Sequence, residues 1–140
     1  MFELFDHQAD IGIRGYGSRL ERAFEEAAKA MFSIMVEPAS VQKKKEISIE
    51  AKANDLNALL VEWLNEIILQ KDLAGMFFSD FKVEKIEQKG NEWQLKGKAI
   101  GELIDLRKHK IWTEVKAATY SELKVGQEQG KWVAQCVVDV

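Results

Sequence analysis

Two short stretches carry residues of the type and spacing that chemistry needs. His7-Gln8-Ala9-Asp10-Ile11-Gly12-Ile13 sets a small polar cluster in an apolar run, with a carboxylate just ahead of a glycine turn. The sequence finishes on Asp139-Val140. A lone carboxylate among apolar neighbours is costly to bury, so Asp10 needs a partner: a turn amide, a lysine or a cation. A hard divalent ion takes oxygen ligands, namely carboxylates, backbone carbonyls and water. If the two ends meet, Asp10, Asp139 and the terminal carboxylate of Val140 supply such a set, and His7 could contribute. The simpler alternatives are an exposed edge charge at Asp139 and a hydrogen-bonding core histidine at His7.

Other chemistries find less support. Gly12-Ile13-Arg14-Gly15-Tyr16-Gly17 lacks the order G-x-G-x-x-G, and no Gly-Lys-Ser/Thr follows it. A strand with close backbone approaches or a bulge is the better reading. Ser18, Ser33 and Ser121 have no Gly-x-Ser-x-Gly setting. Two histidines, the single Cys136 and no His-Glu-x-x-His argue against zinc catalysis. A net charge of -3 argues against a dedicated binder of phosphate backbones. Lys43-Lys44-Lys45 reads as a solvated loop, with contact to an acidic partner or an RNA phosphate as the alternative. Glu114, Lys116 and Glu122 read as a row on the outer side of a strand beside Tyr120. Lys116 there either faces solvent or reaches a phosphate or carboxylate.

The elements that position these residues follow from hydrophobic period. With 140 residues, 46% hydrophobic and 31% charged, the chain suits one soluble domain over 1–140. Phe2 to Phe5 begin an extended segment. Ser18 and Glu21 have capping-box spacing. Leu20, Ala23, Phe24, Ala27, Ala28, Met31, Phe32 and Met35 then form one helical stripe, which Pro38 ends. Glu46 to Ala53 alternates as a strand. Asn54-Asp55 caps a second helix, whose stripe runs through Leu59, Leu60, Trp63, Leu64 and Ile67. From Met76 the period becomes two, with a hairpin turning at Lys89-Gly90-Asn91. Gly101 to Lys110 reads as an exposed loop, Trp112 to Val125 as a strand, Gly126 to Gly130 as a turn and Lys131 to Val140 as the last strand. The predicted fold is an α+β sandwich, two helices packed on a mainly antiparallel sheet. No apolar run approaches the roughly 18 residues of a membrane span. The acidic N-terminal stretch lacks a basic n-region, and one cysteine suits a reducing compartment. A cytoplasmic location is the expectation.

These residues carry a resemblance. His7-Gln8-Ala9-Asp10-Ile11-Gly12 is similar to the His-Thr-Ala-Asp-Val/Ile-Gly opening of the archease family. The similarity continues through Ala28-Lys29-Ala30-Met31-Phe32, Leu59-Leu60-Val61-Glu62-Trp63-Leu64-Asn65-Glu66, Gly101-Glu102 and Glu114-Val115-Lys116-Ala117-Ala118-Thr119-Tyr120. It ends at Asp139-Val140, where the family has Asp-Ile or Asp-Leu. Gln8 stands where threonine is usual. The resemblance implies a small α+β accessory protein, not an enzyme, that assists the RtcB-type RNA ligase in tRNA splicing. It would promote GMP transfer from GTP onto the ligase's histidine and permit many turnovers. It also implies a bound divalent cation, calcium first and manganese or magnesium otherwise, held by Asp10, Asp139 and Val140. Lys116 matches a functionally important lysine, and GTP and RNA would be met only through the ligase. The alternative within the family is a chaperone-like module for a tRNA methyltransferase.

Overall fold

The chain reverses at Gln8-Ala9, ahead of Asp10, and not at the glycines that follow. In the computed structural model, which describes residues 1–140, strand β1 (Phe2–His7) pairs antiparallel with β2 (Asp10–Gly17), His7 opposite Asp10. Gln8 takes the left-handed conformation of the turn, at φ 53°. Gly12 lies in mid-strand opposite Phe5, whose ring occupies the space a Cβ would need. Gly15 likewise admits no Cβ, because the Ala23 carbonyl and Ala27 amide press on it. The glycines therefore serve close approach, as expected of a strand.

Helix α1 (Leu20–Met35) starts one residue later than the capping box required. Arg19 is its N-cap, with no side-chain cap hydrogen bond. Its buried residues include Ala23, Ala27, Ala28 and Ala30, whose small side chains let it touch β2 on one side and the later strand Met76–Lys89 on another. A 3₁₀ turn at Pro38–Ser40 follows, then β3 (Lys45–Ala53). Helix α2 (Leu56–Ala74) is capped as its sequence predicts: the Asp55 side chain accepts the Ala58 N–H at 2.8 Å. Gly75, in the left-handed conformation at φ 64°, closes it. Strands β4 (Met76–Lys89) and β5 (Glu92–Leu103) form the predicted hairpin, and β3 pairs with β5.

The segment after β5 departs from the expected strand. Only Ala117–Ala118 (β6) pairs there, and β7 begins at Lys124. The Trp112 and Thr113 amides instead donate to the Met35 and Ile34 carbonyls at 2.9 and 3.1 Å. They satisfy C-terminal acceptors of α1 that have no partner within the helix. The turn expected over Gly126 to Gly130 narrows to Gln129-Gly130, both at positive φ, and joins β7 (Lys124–Glu128) to β8 (Lys131–Asp139).

The fold is thus α+β with antiparallel strands, and the strands divide between two sheets. One has the order β1-β2-β8-β6 with β7 also on β8; the other is β3-β5-β4. Both helices touch both sheets. Their shared core includes Ile13, Phe24, Met31, Phe32, Leu60, Trp63, Phe78 and Cys136. No helix is long and apolar enough to cross a membrane.

Candidate functional site

Strand register brings the two carboxylates together. Strands β2 and β8 pair with Ile11 opposite Val138, so one further step sets Asp10 across from Asp139. On the flanks His7 lies opposite Asp10 and Ala117 opposite Asp139. Directly paired residues share a face, and alternate residues share it along a strand. This row therefore lies on the face of Gly12, Val137, Arg14 and Gln135, away from Ile13 and Cys136 in the core. The Val140 N–H donates to Asp10 Oδ1 at 3.3 Å, and the Lys116 N–H donates to the Asp139 carbonyl at 2.8 Å. Residues 130 positions apart thus share one hydrogen bond.

The charge around the row is one-sided. Asp10 is half-buried and Asp139 exposed. Like charges facing each other across strands repel, and no basic side chain is in ion-pair contact with either acid. His7 instead directs Nε2 toward Glu122 Oε1, 3.9 Å away. The Lys116 side chain is exposed. This donor set is all oxygen and negative, which fits a hard divalent cation. Nowhere do three or more His, Cys, Asp or Glu side chains converge as ligands. An ion held by these two carboxylates must complete its shell from backbone or terminal oxygens and water.

Neighbouring contacts fix the row in place. Asn65 of α2 acts as a backbone surrogate for β6: its Oδ1 accepts the Ala118 N–H at 2.8 Å, and its Nδ2 donates to the Ala118 carbonyl at 3.3 Å. Thr119 donates to the Val137 carbonyl through both its amide and its hydroxyl. On the sheet's outer face Arg14 lies over the Phe5 ring, donates to Gln135 Oε1 at 2.6 Å and pairs with Glu3. The Tyr16 hydroxyl also donates to Glu3, and with Arg14 it holds that carboxyl below its ordinary range. Gln135 in turn donates to the Glu122 carbonyl at 2.9 Å, tying the segment before β7 to the sheet.

Residues 2–140 match the family model described as "Archease protein family (MTH1598/TM1083)". The chain belongs to the archease family. The archease of Pyrococcus furiosus is 47% identical over 140 residues, spanning 99% of this chain and 98% of the relative. That of Sulfolobus acidocaldarius is 42% identical over 139 residues, with 99% and 98% covered. The solution structure of Methanobacterium thermoautotrophicum protein 1598 superposes with a TM-score of 0.83 at 36% identity, covering 99% of this chain and 98% of that one. A crystal structure of a Thermotoga maritima archease, described as a possible chaperone, shares the fold at a TM-score of 0.58 and 23% identity, with 97% and 94% covered.

This archease also holds a polar cluster where an exposed loop was expected. Residues Gly101 to Leu103 still belong to β5, and Glu102 and His109 are buried. Glu102 accepts the Gln42 N–H at 2.7 Å and the Lys108 ammonium at 2.7 Å, and meets His109 Nε2 at 3.0 Å. His109 Nδ1 accepts the Asp105 N–H at 3.0 Å, so the hydrogen on Nε2 is the one donated to Glu102. The Gln42 amide, His109 and Lys108 together hold the Glu102 carboxyl down at about 2, from an ordinary 4.5. A carboxyl that binds its proton more weakly folded than unfolded stabilises fully above the unfolded value and loses that contribution as pH falls. Glu102→Gln is therefore expected to lower the melting temperature at pH 7. The gap to the parent protein should shrink as pH drops from about 4.5 toward about 2. Thermal melts across that range check it; a gap that stays constant would show that the charge of Glu102 is not what holds the loop. The signals available in the sequence were Gly101-Glu102 within the family resemblance and a lone histidine seven residues on.

Proposed function

We propose that this archease is a non-catalytic accessory protein of an RtcB-type RNA ligase, promoting transfer of GMP from GTP to the ligase's histidine during tRNA splicing. The observation that supports this reading is the meeting of Asp10 with Asp139-Val140 at one end of a sheet, with Lys116 exposed beside them. Asp10, Asp139 and the carboxylate of Val140 would hold the cation, calcium first, with manganese or magnesium the other candidates. When bound, it would neutralise two facing carboxylates and add positive charge at that end. The chain's own part is to hold these oxygens in register through β2, β8 and the Asn65 clamp on β6, and to offer Lys116 to the ligase or its nucleotide. His7, turned toward Glu122, would set the outer boundary of the row. A cytoplasmic setting fits a buried, unbridged Cys136.

The test uses the purified chain, an RtcB-type ligase, GTP, RNA ends and divalent metal. Alone, the chain is expected neither to join RNA nor to hydrolyse GTP. Added to the ligase, it should raise the number of joins per ligase well above one. Metal-dependent turnover by the chain alone would overturn the reading, as would ligase turnover that it leaves unchanged. A chaperone-like module for a tRNA methyltransferase would not need the two carboxylates, so Asp10→Asn would leave methyltransferase binding intact while ligase activation stayed absent throughout.

A further inference from the structure

The Lys43-Lys44-Lys45 run does not stand as an isolated solvated loop. Lys44 and Lys45 line, together with Arg107 and Lys108, a cavity of about 650 Å³ whose apolar lining is Leu103, Ile104 and Leu106. That size is within the range of pockets that take small ligands or short peptide segments. Leu103 and Leu106 are 56% and 77% exposed, so the opening carries apolar surface in contact with water. Four basic side chains against the two carboxylates, Glu102 and Asp105, leave a local charge of +2 in a chain whose net charge is -3. Glu102 is already engaged by Lys108 at 2.7 Å, with Lys44 3.7 Å away. Lys45 makes no ion pair, and the nearly fully exposed Arg107 makes only a 3.9 Å contact with Asp105. Those two cations are free to meet a ligand.

We infer that this cavity is a docking site for a short acidic segment of a partner protein, one that carries at least two carboxylates and an aliphatic side chain. The carboxylates would meet Lys45 and Arg107, and the aliphatic group would cover Leu103 and Leu106. Charge complementarity at an exposed rim steers and selects a partner, while covering the leucines removes apolar area from water. A nucleic-acid strand fits less well. The walls offer no aromatic ring for a base to stack on, and a phosphate backbone brings nothing apolar to cover Leu103 and Leu106. The cavity shares no residue with the row of Asp10, Asp139 and Lys116, so it goes beyond the ligase reading and stands or falls separately.

A fluorescein-labelled acidic hexapeptide alternating glutamate and leucine is the probe, followed by fluorescence polarisation against the full chain at low salt. Saturable binding is expected, weakened at least tenfold in a peptide with glutamine for every glutamate. Lys45→Glu combined with Arg107→Glu should weaken binding by at least tenfold with an unchanged melting temperature, as should Leu106→Ser. Rising salt should reduce the affinity, because the cations are exposed. Asp10→Asn should leave peptide binding unaltered. No saturable binding of the acidic peptide would overturn the inference. So would tighter binding of a ten-nucleotide oligouridylate, or charge-reversed protein that binds the peptide as well as the parent does.

Discussion

Trp63→Ala is expected to destabilise the protein by about 3–5 kcal/mol, the range for deleting a large buried aromatic side chain, with the result near the upper end. Trp63 is fully buried. Its indole N–H donates to the Phe24 carbonyl at 3.1 Å, joining α2 to α1. Its ring edge also packs against Gly97 of β5, where a Cβ would come within 3.2 Å of it. Alanine would leave a cavity where two helices and a sheet meet, and would strip a partner from a buried carbonyl. Trp63→Phe keeps much of the ring volume and loses the hydrogen bond with a smaller void, so it should cost clearly less. Denaturant titration monitored by circular dichroism reads both. An unchanged midpoint in Trp63→Ala would contradict the packing described.

Asp10→Asn and Asp139→Asn are expected each to weaken calcium binding at least tenfold while the protein stays folded. The double variant should bind little worse than the weaker single one, because either change already breaks a shared site. Asparagine retains an oxygen at the Oδ1 position of Asp10, so the Val140 N–H can keep its acceptor. In metal-free protein the substitutions should leave the melting temperature level or raise it, since one of two facing charges is gone. Calorimetric titration with calcium, manganese and magnesium provides the comparison. Full affinity in both single variants would show that Asp10 and Asp139 do not share a cation.

Much of the fold was legible because its elements keep strict periods. The stripe through Leu59, Trp63 and Ile67 specifies α2, and the alternation of Trp93, Leu95, Gly97 and Ala99 specifies β5. Asp55 was legible as a cap because its side chain has only its own helix to serve. Ser18 and Glu21 satisfied the same kind of local rule and failed. Arg19 became the N-cap there, and Glu21 lies 3.8 Å from its guanidinium instead. The stretch from Glu102 to Lys116 was illegible for a different reason. Its polar residues look solvated in sequence, yet Glu102 and His109 are buried by partners that include Gln42, sixty residues earlier. Trp112 and Thr113 find their acceptors at the end of α1. In the candidate site, residue type drew attention to Asp10 and Asp139. Their adjacency depends on β2 pairing with β8, which no period in either strand encodes. Asn65 gave no signal beyond its place in the resemblance's Leu59 to Glu66 stretch.

Ligase guanylylation reads directly whether the row at the end of the first sheet drives activation of an RNA ligase. An RtcB-type ligase is incubated with radiolabelled GTP and divalent metal, and label on the ligase is counted with no addition, with the parent chain and with Asp139→Asn or Lys116→Ala. The parent chain should raise guanylylation several-fold, and Asp139→Asn should lose that gain together with its calcium affinity. Lys116→Ala should lose it with calcium affinity kept. Equal stimulation by the parent chain and both variants would show that neither Asp139 nor Lys116 takes part in activation.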